Sequence, residues 1–143
     1  MNHNLQVSES VVISANLERV WNVLTNPEII KEYLFGTETV TDWKIGSEIA
    51  FQGEYNGQKY RDHGVIKEHL LHKRLSYSYW SGFSGLEDKP ENHGMVIYDL
   101  EPVDDTHTKF TWTQKGYPDE ERQKHSQSGM AGFLEQIKGI AER

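Results

Sequence analysis

Apolar residues between Thr37 and Gln114 recur at almost every second position, and this period constrains the fold more than any other feature of the sequence. Such alternation is typical of strands with one buried face and one face in water. The pair Asn56-Gly57 favours a type I′ hairpin turn, because both residues tolerate a positive φ. We therefore predict an antiparallel meander of six strands. They lie within Glu38–Trp43, Ile49–Tyr55, Lys59–Lys67, Arg74–Trp80, Val96–Leu100 and Thr108–Gln114.

A strand and two short helices are predicted before the meander. Alternation through Val7–Ile13 indicates a half-buried strand, and Asn16 is a favourable N-cap for a helix after it. One apolar helical stripe then comprises Leu17, Val20, Trp21 and Leu24. Asn26-Pro27 ends this helix and begins a second, and Gly36 favours the left-handed backbone that terminates helices.

A long amphipathic helix is predicted at the C-terminus, beginning as early as Pro118-Asp119. Its apolar stripe comprises Met130, Phe133, Leu134, Ile137 and Ala141. Gly129 and Gly132 interrupt it, and each glycine costs about 1 kcal/mol relative to alanine inside a helix. We therefore expect either an irregular helix at this point or a close approach of its backbone to another group.

Composition limits the partners that the chain can have. Its 143 residues predict a single domain over 1–143, and 15 basic against 22 acidic side chains give a net charge of −7, which disfavours nucleic acid as a partner. The longest aliphatic run, Val11–Ile13, is too short for a membrane span, and Met1–Ser10 does not resemble a targeting segment. The chain has no cysteine, hence no disulfide or thiolate chemistry. We expect a cytoplasmic monomer.

Five motifs occur in order along the chain. They are Val20-Trp21-Asn22-Val23-Leu24-Thr25-Asn26-Pro27-Glu28, Trp43-Lys44-Ile45-Gly46-Ser47, Gly64-Val65-Ile66-Lys67-Glu68, Arg74-Leu75-Ser76-Tyr77 and Leu100-Glu101-Pro102. With the order of the elements, they resemble the START-like, birch-pollen-allergen-like superfamily (SRPBCC), and within it the family homologous to the activator of heat-shock protein 90 ATPase. The resemblance implies an α+β helix-grip fold, in which a curved antiparallel sheet wraps around a long C-terminal helix and two short helices follow strand 1. It also implies an apolar cavity between sheet and helix, which in many relatives accepts a hydrophobic small molecule.

Inward positions of the predicted strands and of the last helix define a candidate ligand-binding cavity. Aromatic residues make up 11% of the chain, more than a core of this size needs, and an apolar cleft with a few polar groups is how small-molecule sites are usually built. The candidate residues are Phe51, Tyr60, Asp62, Ile66, Tyr77, Tyr79, Tyr98, Phe110, Trp112, Met130, Phe133, Leu134 and Ile137. Alternatively, the phenols only reach the rim, and Asp62 pairs with an outward base such as Arg61 or Lys59.

Catalytic and metal motifs are missing from the sequence. His69 and His72 lie within a predicted turn, and the chain contains no His-Glu-x-x-His helix, so we expect no metal and no cofactor. Ser84 lies in a loop without the strand-to-helix turn of a nucleophile elbow. Paired acids in loops are explained by solvation. No catalytic residue is therefore assigned.

Three functions are consistent with these features. The first is a carrier or sensor that binds a lipid, polyketide or flavonoid-like molecule in the cavity. The second is an enzyme of the aromatase/cyclase type, with cavity phenols or acids as proton shuttles. The third is a stress-response co-chaperone with a chaperone as partner, and it rests on the family name alone. We expect a ligand to pass the loop Ser81–Asn92 or the helix near Gly132, because these segments are the least tied to a core.

Overall fold

The chain folds into seven strands and three helices, with two short 3₁₀ turns, in the computed structural model, which describes all 143 residues. The strands are β1 (Asn2–Ile13), β2 (Glu38–Val40), β3 (Glu48–Tyr55), β4 (Gln58–Leu70), β5 (Arg74–Tyr79), β6 (Gly94–Asp104) and β7 (His107–Tyr117). The helices are α1 (Leu17–Thr25), α2 (Pro27–Tyr33) and α3 (Glu120–Glu142), and the 3₁₀ turns are Gly82–Ser84 and Pro90–Asn92. No helix combines the length and hydropathy that a membrane span needs.

All seven strands belong to one antiparallel sheet. Their order is β1-β7-β6-β5-β4-β3-β2, so the first strand closes the meander by pairing with the last. The helix α3 packs against the sheet, mainly on β1. The buried core lies between them and includes Ile13, Phe110 and Ile137, all fully buried. This arrangement confirms the predicted α+β helix-grip fold.

A side-chain cap begins each helix, and those at Asn16 and Asn26 are the ones that the sequence predicts. The Asn16 side chain accepts a hydrogen bond from the backbone N–H of Arg19 at 2.9 Å, and Asn26 accepts one from Glu28 at 3.0 Å. Asp119 caps α3 in the same way. Because these caps satisfy N–H groups that a helix leaves free, they fix where each helix starts.

Several predicted strand boundaries differ from the structure by a few residues, and two of these differences have a clear local cause. The second strand ends at Val40 rather than Trp43, because Trp43 has a φ of 65° and leaves the extended conformation. The strand predicted to end at Leu100 continues to Asp104 as β6, so the connection to β7 is shorter than the predicted gap between Leu100 and Thr108. The carboxylate of Asp104 accepts the backbone N–H of Thr106 at 2.9 Å and so stabilises a much tighter turn.

The expectation of an irregular α3 or of a close backbone approach is wrong. The helix is continuous, and no atom lies within 4 Å of the position that a Cβ would take at Gly129 or Gly132, because both face outward. Burial of the opposite stripe, which includes Leu134 and Ile137, holds the helix together despite these glycines. The fold does require glycine at Gly64, where a Cβ would overlap the carbonyl oxygen of Ser78 on the neighbouring strand.

Candidate functional site

A cavity of about 290 Å³ lies between the concave face of the sheet and α3. Eight of its thirteen lining residues are aromatic, and it receives side chains from β3 to β7, from α3 and from the segment between α2 and β2. Its residues are Leu34, Phe35, Thr37, Phe51, Tyr60, Asp62, Tyr77, Tyr79, Val96, Tyr98, Trp112, Gln114 and Phe133. A mostly apolar lining with a few polar groups is typical of small-molecule sites.

The structure brings eight of the predicted site residues together in this lining. They are Phe51, Tyr60, Asp62, Tyr77, Tyr79, Tyr98, Trp112 and Phe133. The other five lie in the packed core instead of in the lining. Ile66, Phe110, Leu134 and Ile137 belong to the main core, while Met130 packs with Val7 and Tyr117 in a second cluster. These five share the inward face, but neighbouring side chains cover them.

Five lining residues were missed by sequence reasoning. Val96 and Gln114 share the inward faces of Tyr98 and Trp112, so the period-two pattern could have identified them. Leu34, Phe35 and Thr37 come from an irregular connection, and no sequence pattern indicates that it folds over the cavity.

The aromatic side chains form one continuous series of contacts along the cavity. Centroids of successive rings are 5.3 to 6.2 Å apart, a separation at which edge-to-face and tilted pairs are favourable. In order, the rings are Phe51, Tyr77, Tyr98, Trp112, Phe133 and Phe35. A flat or elongated apolar molecule would find aromatic surface along this whole series.

Phe35 forms the outer end of this series. Its side chain is 84% exposed, and its ring meets that of Phe133 with centroids 6.0 Å apart. Phe35 and Gly36 both have a positive φ, of 54° and 83°, which confirms the predicted left-handed backbone at Gly36, although α2 itself already ends at Tyr33. A large apolar ring held in water at a cavity rim is available to cover a bound molecule.

Asp62 is the only carboxyl group in the lining. It is 7% exposed, and its Oδ2 accepts a hydrogen bond from the Tyr79 hydroxyl at 2.7 Å, whereas Oδ1 is buried without a partner. The alternative in which Asp62 pairs with Arg61 or Lys59 is wrong. Adjacent residues of a strand point to opposite faces, and Arg61 instead donates to Glu48.

Three of the cavity phenols, those of Tyr77, Tyr79 and Tyr98, have raised pKa values and are neutral over the physiological pH range. Burial raises the pKa of Tyr98 to about 12 and the pKa of Tyr77 well above its ordinary value. Burial and then the adjacent charge of Asp62 raise the pKa of Tyr79. These groups therefore serve as hydrogen-bond donors and acceptors rather than as charges.

A second buried polar atom in the lining also lacks a partner. The indole N–H of Trp112 is buried and has no acceptor. Tyr60 and Thr37, by contrast, satisfy each other through their hydroxyl groups. Unpaired buried polar groups are uncommon in native proteins, and two residues of this lining each contain one, an acceptor on Asp62 and a donor on Trp112.

The loop Ser81–Asn92 is tied down by side chains. The Asp88 carboxylate contacts Nε2 of His63 at 2.6 Å and Nε2 of His93 at 2.9 Å. Both contacts lower the pKa of Asp88, and the contact with His93 has the larger effect. The Trp80 indole donates to the carbonyl of Leu86 at 3.2 Å. Both 3₁₀ turns lie within this loop, so it carries more local structure than its composition indicates.

The remaining histidines considered above contribute packing. The His69 ring stacks on Trp21 with centroids 5.6 Å apart, and His72 meets the edge of the same indole at 6.1 Å. No group of three or more His, Asp or Glu side chains is placed to hold a metal ion.

Comparison with known proteins connects this geometry to a family. The family described as Activator of Hsp90 ATPase homolog 1-like protein matches residues 14–142. A protein of Cytophaga hutchinsonii, known from its solution structure, is 39% identical with a TM-score of 0.84, over 99% of this chain and 97% of that one. No protein with a curated description matches.

Two more distant structures share the fold. The Aha1 dimer from Colwellia psychrerythraea is 17% identical with a TM-score of 0.74, over 96% of each chain. An HSP90 activator from Plasmodium falciparum is 15% identical with a TM-score of 0.73, over 95% of each chain. Identities this low establish similarity of fold alone.

Proposed function

The chain belongs to the Activator of Hsp90 ATPase homolog 1-like family of the START-like superfamily, and on that premise we propose that it binds a hydrophobic small molecule between the sheet and α3, as a carrier or sensor. The aromatic cavity is the observation that carries this proposal. Its volume of about 290 Å³ lies at the lower end of the range for ligand pockets. This size fits a lipid segment or a compact polyketide or flavonoid-like ring system.

The free polar atoms support a ligand with polar groups on an apolar body. Trp112 offers an N–H and Asp62 offers an oxygen, each buried and without a partner. Filling the cavity with a purely apolar molecule would leave both groups unsatisfied, at a cost of about 1 to 3 kcal/mol each. A ligand with complementary groups would be favoured.

The phenols favour binding over catalysis. An enzyme of the aromatase/cyclase type would need a cavity group that gives up a proton near neutral pH. The pKa of Tyr79 is raised by burial and by Asp62, which makes its hydroxyl a poor proton donor. A co-chaperone function is supported only by the description of the family and by what the Colwellia and Plasmodium proteins are called, at 17% and 15% identity. We therefore rank the carrier or sensor function above the other two. We also propose that the protein acts as a monomer in the cytoplasm.

A ligand screen followed by amide chemical shifts tests this proposal. A library of lipids, flavonoids and polyketides is titrated into labelled protein. We expect hits to shift the amides of Phe51, Tyr77, Tyr79, Trp112 and Phe133 together, because these residues line one cavity. Outward residues of β4, Lys59 and Lys67, serve as the internal control. Hits that shift only these outward amides, or a library without hits, would contradict the proposal.

A further inference from the structure

The charge of the cavity is unbalanced. Asp62 is its only carboxyl group, and its lining contains no lysine, arginine or histidine. The two basic residues next to Asp62 on β4 point away from the cavity. Arg61 pairs with Glu48 on the outer face of the sheet, and His63 contacts Asp88. The Tyr79 hydroxyl is the one hydrogen-bond donor to the Asp62 carboxylate, and Oδ1 has none.

A buried carboxylate without a cation is costly. Proteins normally compensate it with a salt bridge or with several hydrogen bonds, because removing the charge from water costs several kcal/mol in order of magnitude. Asp62 is 7% exposed and has one neutral partner. The missing partner is therefore a donor, and a positively charged one would compensate it best.

The surroundings of Asp62 also favour a cation. Tyr79, its hydrogen-bond partner, has its ring 6.0 Å from Phe51, and Tyr60 lines the same part of the sheet. Aromatic faces attract ammonium groups through the ring quadrupole. The net charge of −7 adds a favourable long-range attraction for a positively charged molecule.

We propose that the ligand is an aromatic or polycyclic amine, whose protonated nitrogen pairs with Oδ1 of Asp62 while its apolar body packs along the rings toward Trp112 and Phe133. This inference rests on the proposed function and narrows it to one ligand class. It assigns Asp62 as the residue that selects the ligand by charge.

Three probes with one ring system test the assignment: naphthylmethylamine, naphthylmethanol and naphthoate. Their dissociation constants are measured by calorimetry, with amide shifts to locate binding in the cavity. We expect the amine to bind the wild-type protein about tenfold or more tightly than the alcohol, because both can donate a hydrogen bond to Asp62 but only the amine adds a positive charge. The naphthoate should bind most weakly, because its carboxylate would face that of Asp62.

Two variants separate local pairing from general electrostatics. Asp62→Asn keeps the size of the side chain and should remove the preference for the amine while retaining affinity for the alcohol. Asp105→Asn removes the same charge from the exposed β6–β7 turn and should leave the preference unchanged. If Asp62→Asn does not fold, the order of the three dissociation constants on the wild-type protein still decides whether the cavity prefers an amine.

The outcomes distinguish the two proposals. Equal affinity for amine and alcohol, or tighter binding of naphthoate, would overturn the assignment of an amine and leave a hydrophobic ligand site intact. An amine preference that survives in Asp62→Asn would overturn the role of Asp62. Failure of every probe and every library compound to shift the cavity amides would overturn the proposed function itself.

Discussion

The two ends of the space under α3 differ although they share one sheet and one helix. At the packed end, formed by Ile13, Val20, Leu24 and Ile137, α1 fills the space and these side chains are fully or almost fully buried. At the open end, formed by the cavity residues, the connection that carries Leu34, Phe35 and Thr37 borders the cavity in place of a helix. The comparison teaches that the packed core and the cavity proposed to bind a ligand lie in different halves of this fold.

The helices explain the difference. The Arg19 guanidinium of α1 donates to the carbonyls of Ile140 and Ala141 at 2.9 and 3.3 Å, which fastens α1 to the end of α3. At the other end, α3 borders the cavity through Phe133, whose ring meets that of Phe35. The packed end therefore holds the sheet and α3 together, and the open end is free to accept a molecule.

Trp21→Ala should have the largest effect on stability. Trp21 is buried at the packed end and stacks on His69, and truncation of such a residue costs about 3 to 5 kcal/mol. Urea unfolding measures this loss. Ligand affinity of the folded fraction should be unchanged, whereas the control Phe133→Ala should lose affinity with a smaller loss of stability. An unchanged thermal midpoint for Trp21→Ala would break the distinction between the two ends.

A matched pair of enlargements tests whether one end is full and the other hollow. Val20→Phe adds a ring to the packed end and should cost about 1 to 3 kcal/mol or more, because overpacking forces strain. Val96→Phe adds the same ring beside the cavity, where it has space, so stability should change by less than about 1 kcal/mol. Ligand affinity should fall only in Val96→Phe. Equal losses of stability in both variants would contradict the comparison.

The titration of Tyr98 reports whether bulk water reaches the boundary between the two ends. Burial raises its pKa to about 12 in the folded chain, against about 10 in an unfolded one. The unfolded chain therefore loses this proton first, so the stabilisation is complete below pH 10 and is lost as the pH rises toward 12. Ultraviolet absorbance, with Tyr98→Phe to assign the signal, measures the folded value. Titration of Tyr98 near pH 10 would mean that the cavity admits bulk water.

The smallest effect is expected at the outer face of α3. Gly132→Ala at the open end and Gly139→Ala at the packed end both place a methyl group in open space, and each should raise stability by up to about 1 kcal/mol. Only Gly132→Ala should slow amide exchange over residues 126–134 and ligand release. Equal effects of both variants on ligand release would argue against access through this part of the helix.

Much of the fold could be predicted because each signal depends on a few neighbouring residues. Asn16 and Asn26 cap helices through backbone N–H groups two or three residues away. The alternation that carries Tyr77 and Tyr79 identifies the inward face of β5, and both residues line the cavity. Eight cavity residues were predicted by this alternation and by the stripe of α3.

The sequence by itself determined which side chains face inward, where the helices start and that the sheet is an antiparallel meander, because periodicity and caps are local. Tertiary structure alone decided which inward side chains are covered and which line the cavity. Ile66 and Tyr77 lie opposite each other on neighbouring strands, yet only Tyr77 lines it. Tertiary structure also decided that Phe35 lies at the rim, since the connection that carries it has no sequence pattern, and that one oxygen of Asp62 is left without a partner. Coverage depends on contacts between residues far apart in the chain, and a local period carries no information about them.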